Sequence, residues 1–192
     1  MERNIIGLLG TKHSGKDTAG SYLISKHQFM RYAFGDPVKD ICKILFSLSD
    51  LQLTEPSIKE IVDDRWGLSP RNMFQRIGTE FGQIGLFNLF PELKTKIKYR
   101  ELWTRLFEEW LKQQGDGNIV ITDVRFKHEI ECIKKYGGTI VKMNRNTYKN
   151  DNHLSETELN IIPDDMIDYT IDNNHTLDDL YSQLDTIIYV PF

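Results

Sequence analysis

Short apolar runs of strand length alternate with longer segments of helical periodicity along the chain. Five such runs are visible: Asn4–Leu9, Phe29–Phe34, Asn118–Thr122, Thr139–Met143 and Tyr169–Ile171. Because successive side chains of a strand point to opposite faces of its sheet, a continuously apolar run indicates a strand that is buried on both faces. The pattern therefore predicts a parallel sheet in the interior of the fold.

The segments between these runs carry apolar residues at three- and four-residue spacing, which is typical of helices with one buried face. Helices are predicted over residues 15–26, 37–46, 57–66, 70–81, 99–111, 127–136 and 177–187. Strands that alternate with helices predict an α/β fold, in which helices cover both faces of a parallel sheet. Ligands of such folds bind at the carboxyl ends of the strands.

Composition and charge narrow the class of protein. The chain has 192 residues, with 24 Lys and Arg, 28 Asp and Glu, and a formal net charge of −4. The length suits one domain, and the mild acidity argues against a broad nucleic-acid-binding face. No apolar stretch reaches the roughly 18 residues of a membrane span, and the first residues do not resemble a secretory signal. We therefore expect a cytoplasmic protein whose partners include neither nucleic acid nor a membrane.

The strongest chemical signal lies between the first predicted strand and the first predicted helix. The segment Gly10-Thr11-Lys12-His13-Ser14-Gly15-Lys16 matches G-x-x-x-x-G-K. The glycines of this motif let backbone N–H groups turn inward around a polyphosphate, and the following helix adds a favourable dipole. The motif predicts an ATP site that contains Gly10, Lys12, Ser14, Gly15, Lys16, Asp17 and Thr18. The alternative is a glycine-rich turn with a surface lysine.

Two oxygen-bearing side chains follow the lysine of this loop. Asp17 stands where the motif usually has Ser or Thr, and Thr18 comes next. Both a carboxylate and a hydroxyl are hard oxygen ligands, so we expect one of them to bind Mg²⁺, directly or through water. The alternative for Asp17 is compensation of the helix dipole in the first turn.

A second pair of charged residues follows the predicted strand 118–122. An acid in the place of Asp123 often holds the water shell of Mg²⁺, and an arginine in the place of Arg125 can neutralise a phosphoryl group in transfer. Both are therefore candidate catalytic residues beside Lys16. The alternatives are a helix cap for Asp123 and a surface ion pair for Arg125.

Five segments occur in an order that points to one family: Gly10–Thr18, Phe34–Lys39, Arg71–Glu80, Thr122–Phe126 with Glu129, and Asp151–Glu156. Together they resemble the phage-type deoxynucleoside monophosphate kinases, a branch of the nucleoside monophosphate kinase fold among P-loop NTPases. The Gly-Thr-Glu of the third segment and the Asp-Val-Arg-Phe of the fourth are the specific features. This sequence departs from the family at Gly35, where Ala is more common.

The resemblance implies ATP- and Mg²⁺-dependent phosphorylation of a deoxynucleoside monophosphate, within deoxynucleotide biosynthesis. It implies one kinase domain over residues 1–192, a mostly helical acceptor-binding region at 36–115 and a lid at 144–163. The implied acceptor site contains Asp36, Lys39, Arg71, Gln75, Thr79, Glu80, Arg125 and Glu129. The implied lid residues are Arg145, Lys149, His153 and Glu156, of which Arg145 also serves ATP. For a phage or viral protein the implied location is the host cytoplasm.

The chemistry of the residues agrees with this function. The second pKa of a phosphate monoester is about 6, so the attacking oxygen is mostly ionised at neutral pH and no general base is required. Lys39 and Arg71 can clamp the acceptor phosphate, while Gln75 or Glu80 can hydrogen-bond a base.

Several alternatives remain open at this point. Lys39 and Gln75 are also compatible with positions on the solvated faces of their helices. Glu80 is also compatible with an ion pair to Arg76 of the same helix. The spacing of Trp103 and Trp110 indicates core residues more strongly than residues that stack on a base. A kinase of another phosphorylated acceptor, such as phosphomevalonate, and a nucleotide-binding protein without turnover are the competing functions. A homodimer is compatible with the sequence.

Overall fold

The computed structural model describes residues 3–146 and 161–189. In chain order its elements are β1 (Ile5–Leu9), α1 (Lys16–His27), β2 (Met30–Tyr32), α2 (Gly35–Phe46), α3 (Asp50–Thr54), a 3₁₀ turn (Ile58–Glu60), α4 (Pro70–Gln75), a π-helix (Arg76–Gly85), α5 (Leu86–Leu89), a second 3₁₀ turn (Pro91–Thr95), α6 (Leu102–Lys112), β3 (Ile119–Val124), α7 (Lys127–Lys135), β4 (Thr139–Asn144), a third 3₁₀ turn (Asp164–Met166), β5 (Tyr169–Asp172) and α8 (Leu177–Tyr189). They fall into two compact units, a sheet unit (residues 1–33 and 113–192) and a helical unit (Phe34–Lys112).

The sheet unit confirms the predicted parallel sheet with helices on both faces. Its strands run parallel in the order β2-β3-β1-β4-β5. On one face a buried cluster joins the central strands to α1 and α8, and contains Ile6, Leu8, Ala19, Leu23, Val120, Val141, Leu180 and Leu184. On the other face α7 packs against β1 so closely that a β-carbon at Gly7 would lie 2.9 Å from Ile133.

The strand register places the predicted chemistry at one edge of the sheet. Leu9, the last residue of β1, is level with Val124 of β3 and with Lys142 of β4, and Asn144 is level with Asp172 of β5. The carboxyl ends of four parallel strands therefore lie along the same edge. The chain order reverses on either side of β1, and such a point is where open parallel sheets bind ligands.

The helical unit corrects one predicted helix. The predicted helix over 57–66 is wrong, because only a 3₁₀ turn forms there and Asp63 pairs with Leu68 in an antiparallel bridge. The Asp63 carboxylate binds the backbone N–H and the guanidinium of Arg65 and the side chain of Gln52. These hydrogen bonds hold the pKa of Asp63 well below its usual range. They also stabilise a turn, which Gly67 completes at φ 65°.

The predicted helix over 70–81 is longer and less regular than the sequence indicates. Ser69 caps α4 by accepting the Asn72 N–H, and Pro70 occupies the first turn, as the pattern predicts. The chain then passes into the π-helix and on into α5. Trp103 of α6 donates its indole N–H to the Gly78 carbonyl at 2.7 Å. At 3% exposure Trp103 is a core residue, as its stripe predicts.

Two further observations concern the whole described chain. Within residues 3–146 and 161–189, no helix is both long and apolar enough to cross a membrane. Cys42 and Cys132 are buried free thiols.

Of the predicted lid, residues 147–160 lie outside the described part of the chain.

Candidate functional site

The predicted phosphate loop leaves the carboxyl end of β1 and ends in the first turn of α1. Its two motif glycines are required by geometry. Gly10 has φ 157°, and a β-carbon there would lie 2.6 Å from the Ser14 hydroxyl and 2.8 Å from the Met143 carbonyl. Gly15 adopts φ 99°, which L side chains rarely take. The loop is therefore a tight turn of closely approaching backbone, as phosphate-binding loops require.

Lys16 is anchored to the carbonyl groups of this loop. Its Nζ donates to the carbonyl oxygens of Gly10 and Thr11 at 2.6 Å each, and lies 3.4 Å from the Ser14 hydroxyl. Although Lys16 carries a charge, it is only 8% exposed. A buried ammonium group at the mouth of a backbone turn attracts anions, since little water screens it.

Asp17 and Thr18 follow Lys16 in the first turn of α1, and both side chains are exposed. Their oxygen atoms suit Mg²⁺, which commonly binds one or two protein ligands and completes its shell with water and substrate phosphates. Among the described residues no group of three or more His, Cys, Asp or Glu side chains could hold a metal. Asp17 and Thr18 therefore fit a Mg²⁺ ion that takes its other ligands from water and from the phosphates of a substrate.

A bulge shapes the end of β3. Gly7 is level with Ile121 and Leu9 with Val124, so Thr122 and Asp123 together oppose Leu8. An extra residue in one strand re-aims the side chains that follow it. Asp123 lies in this bulge and Arg125 directly after the strand, and both are half-buried.

Glu129 is buried beneath this strand end. Its Oε2 accepts the backbone N–H of Arg125 at 2.7 Å and that of Phe126 at 3.0 Å, and the residue is 3% exposed. Burial, together with the charge of Asp123, raises the pKa of Glu129 to about 8, although both backbone hydrogen bonds and Arg125 act in the opposite direction. Glu129, which the sequence predicts for the acceptor site, therefore holds the backbone at Arg125 and Phe126.

The other predicted acceptor residues lie on α2 and on the helix formed by α4 and the π-helix, and these elements pack against each other. Asp36 and Lys39 form an ion pair at 3.0 Å, and Arg71 pairs with Glu60 at 3.2 Å. Thr79 is buried, Gln75 is half-buried and Glu80 is exposed. The structure thus brings these six residues into one helical unit, with both predicted cations engaged by carboxylates.

Of the predicted lid, the structure describes residues 144–146 and 161–163. Arg145 follows β4 and is exposed. Lys149, His153 and Glu156 lie outside the described residues.

Sequence reasoning missed Asn173, which lies directly after β5. Its side-chain Nδ2 donates to the Ser14 carbonyl at 2.9 Å, and its backbone N–H donates to the Asn144 carbonyl at 2.8 Å. The sequence indicates the position of Asn173, because a polar residue after a predicted parallel strand lies at the ligand-binding edge. It does not indicate that the partner of Asn173 is Ser14.

Comparisons of the sequence with known proteins point to one family. Residues 56–184 match the family described as "Deoxynucleotide monophosphate kinase". A protein of Acanthamoeba polyphaga mimivirus, provisionally named as a deoxynucleotide monophosphate kinase, is 40% identical in an alignment of 188 residues, gaps included, that covers 94% of this chain and 93% of the relative. The deoxynucleotide monophosphate kinase of Enterobacteria phage T4 is 22% identical, and the alignment covers 97% of this chain and 99% of the phage protein.

The fold itself resembles that of a solved small-molecule kinase. Shikimate kinase from Aquifex aeolicus vf5 superposes with a TM-score of 0.55 at 15% identity, over 96% of this chain and 95% of that one. This likeness bears on the fold alone, and it confirms the predicted P-loop kinase architecture. Since the family match covers more than half of the chain and the mimivirus relative nearly all of it, the chain belongs to the deoxynucleotide monophosphate kinase family and is a kinase.

Proposed function

We propose that this kinase transfers the γ-phosphoryl group of ATP to a deoxynucleoside 5′-monophosphate, which yields the deoxynucleoside diphosphate and ADP. The observation that carries the proposal is the buried Lys16 ammonium in a phosphate loop at the carboxyl end of β1. The names of the mimivirus and phage T4 relatives support the choice of acceptor.

The reaction needs little covalent chemistry from the protein. A phosphate oxygen of the acceptor forms a bond to the γ-phosphorus, and the bond from that phosphorus to the bridging oxygen breaks with its electron pair on ADP. Because the attacking oxygen is mostly ionised at neutral pH, catalysis consists of positioning two anions and neutralising their charge.

The sheet unit supplies the donor side of this proposal. Lys16 contacts the outer phosphates, and Arg125 neutralises charge on the phosphoryl group in transfer. Arg145 is proposed to contact ATP from the segment after β4. Asp17 or Thr18 would hold Mg²⁺, with Asp123 on its water shell, and the ion would neutralise phosphate charge when bound.

The helical unit supplies the acceptor side. Lys39 and Arg71 are proposed to bind the acceptor phosphate and to exchange their present carboxylate partners, Asp36 and Glu60, for it. Both pairs are partly exposed, so this exchange costs little free energy. Gln75, Thr79 and Glu80 are proposed to contact the nucleoside.

A coupled assay of ADP release tests the function. ATP and Mg²⁺ are supplied with dTMP, dGMP, dCMP or dAMP, with the four ribonucleotide counterparts, and with phosphomevalonate. We expect turnover with at least one deoxynucleotide. Turnover with phosphomevalonate alone would make the protein a kinase of another acceptor, and nucleotide binding without turnover would make it a non-catalytic binding protein. We place the reaction in the cytoplasm, that of the host for a viral enzyme.

A further inference from the structure

Asn173 reaches the phosphate loop from the opposite end of the sequence. It follows β5, and its amide donates to the Ser14 carbonyl, 159 residues away in the chain. Asn173 is 8% exposed and Ser14 is 1% exposed, so little water competes for this hydrogen bond. A buried bond of this kind is costly to break, because the carbonyl group would lose its partner without gaining water.

The amide of Asn173 also fills the space beside Gly15. A β-carbon on Gly15 would lie 2.1 Å from Nδ2 of Asn173. The second glycine of the motif is therefore required by its φ angle and also by the close approach of this side chain.

The hydrogen bond fixes the orientation of one peptide plane. In a trans peptide the C=O and the following N–H point in opposite directions. Because the Ser14 carbonyl points to Asn173, the N–H of Gly15 points away from Asn173. Backbone N–H groups of this loop are the groups that bind phosphate in such motifs.

Asn173 is itself held in place by the sheet. Its backbone N–H donates to the Asn144 carbonyl, which continues the pairing of β4 and β5 by one residue. The side chain therefore starts from a fixed backbone, which suits it to hold a loop.

We propose that Asn173 is a positioning residue of the phosphate loop: its buried amide orients the Ser14–Gly15 peptide so that the Gly15 N–H binds a phosphate of the nucleotide. This inference rests on the proposed function, because it takes a nucleoside triphosphate as the ligand of the loop. Asn173 is not a catalytic residue, since it acts through the peptide that it holds.

The test compares Asn173→Asp with Asn88→Asp in the full-length chain. Asn173→Asp keeps the shape of the side chain but turns its donor into an acceptor that faces the Ser14 carbonyl. Asn88→Asp makes the same substitution, and adds the same charge, at an exposed side chain of α5 in the helical unit. The readouts are the Kd for ATP with Mg²⁺ by calorimetry, and the KM values for ATP and for the acceptor.

We expect Asn173→Asp to weaken ATP binding roughly 10-fold and to raise the KM for ATP, while the KM for the acceptor stays within twofold of wild type. Asn88→Asp should leave all three within twofold. An unchanged Kd in a folded Asn173→Asp protein, or an equal loss in Asn88→Asp, would overturn the inference and leave the proposed function intact. Failure of the wild-type chain to bind ATP would instead overturn the proposed function.

A second variant and a measurement on the wild type cover the case in which Asn173→Asp does not fold. Asn173→Ala removes the donor without adding charge, and the same loss of ATP affinity is expected. In the ¹⁵N-labelled wild-type protein, the side-chain amide signals of Asn173 should shift when ATP and Mg²⁺ are added. Signals that stay unchanged at saturating ATP would overturn the inference.

Discussion

The indole ring of Trp103 occupies the space beside Gly82 that a side chain would need. A β-carbon on Gly82 would lie 2.2 Å from the ring, and the Trp103 N–H is bound to the Gly78 carbonyl on the same helix. Trp103 therefore contacts the π-helix at two of its glycines, Gly78 and Gly82. This contact fixes α6 against the π-helix that carries Thr79 and Glu80.

We predict that Gly82→Ala destabilises the protein by about 1–3 kcal/mol, because the added methyl group overpacks a buried contact. Gly115→Ala is the matched control, since a β-carbon there meets nothing within 4 Å. Urea denaturation followed by circular dichroism gives both free energies of unfolding. Equal free energies for the two variants would contradict the close packing of Trp103.

The buried Glu129 predicts a specific dependence of stability on pH. Its pKa rises from an ordinary value of 4.5 to about 8 on folding. Between these two values the unfolded chain has released a proton that the folded protein keeps, so this group stabilises the fold at low pH and the contribution is lost as pH rises towards 8.

We therefore predict that Glu129→Gln, which cannot ionise, shows a smaller loss of stability from pH 5 to pH 8 than wild type. The measurement is the free energy of unfolding at each pH unit, expressed as the difference between variant and wild type. Glu131→Gln, on the exposed face of the same helix, should keep the wild-type slope. A constant difference between Glu129→Gln and wild type across this range would show that Glu129 does not titrate there.

Lys16→Ala should abolish phosphoryl transfer, with a loss of at least about 10³-fold in kcat, because the ammonium group at the phosphates is removed. Its hydrogen bonds are local to the loop, so the fold should persist. Lys26→Ala, exposed near the end of α1, should retain activity. Normal turnover by a folded Lys16→Ala protein would remove Lys16 from the mechanism.

Arg125→Ala should lower the rate of the chemical step by a factor on the order of 10³, measured in single-turnover experiments. Arg3→Ala is the control, because Arg3 precedes β1 and thus lies at the opposite edge of the sheet, where it binds the Gln114 carbonyl. A change confined to the KM for nucleotide would make Arg125 a binding residue only.

The two metal-ligand candidates are separated by their response to Mg²⁺. We expect the concentration of Mg²⁺ for half-maximal rate to rise severalfold in Asp17→Asn, in Thr18→Val, or in both, depending on which side chain binds the ion. If neither variant changes this concentration, the assignment of the metal to these residues is wrong.

Much of the sheet unit follows from local sequence. The runs at β1 and β3 are apolar because both faces of these strands are covered, and the G-x-x-x-x-G-K pattern specifies the loop between β1 and α1. The sequence therefore predicted five parallel strands and the position of the phosphate loop.

The missed features depend on contacts between distant residues. The turn at Asp63 replaces a helix because Arg65 and Gln52 bind its carboxylate, and the π-helix coincides with the packing of Trp103. The partner of Asn173 lies at the other end of the chain. Neither hydrophobic periodicity nor a local motif encodes such contacts, since both read only neighbouring residues.

Transfer of the γ-phosphoryl group itself is the most direct test of the proposed reaction. The wild-type protein is incubated with Mg²⁺, γ-³²P-labelled ATP and the deoxynucleotide that releases most ADP in the coupled assay, and the products are separated by chromatography. We predict that the label appears in the deoxynucleoside diphosphate with wild type and not with Lys16→Ala. Label that remains in ATP, or that appears only as inorganic phosphate, would contradict a kinase that acts on deoxynucleoside monophosphates.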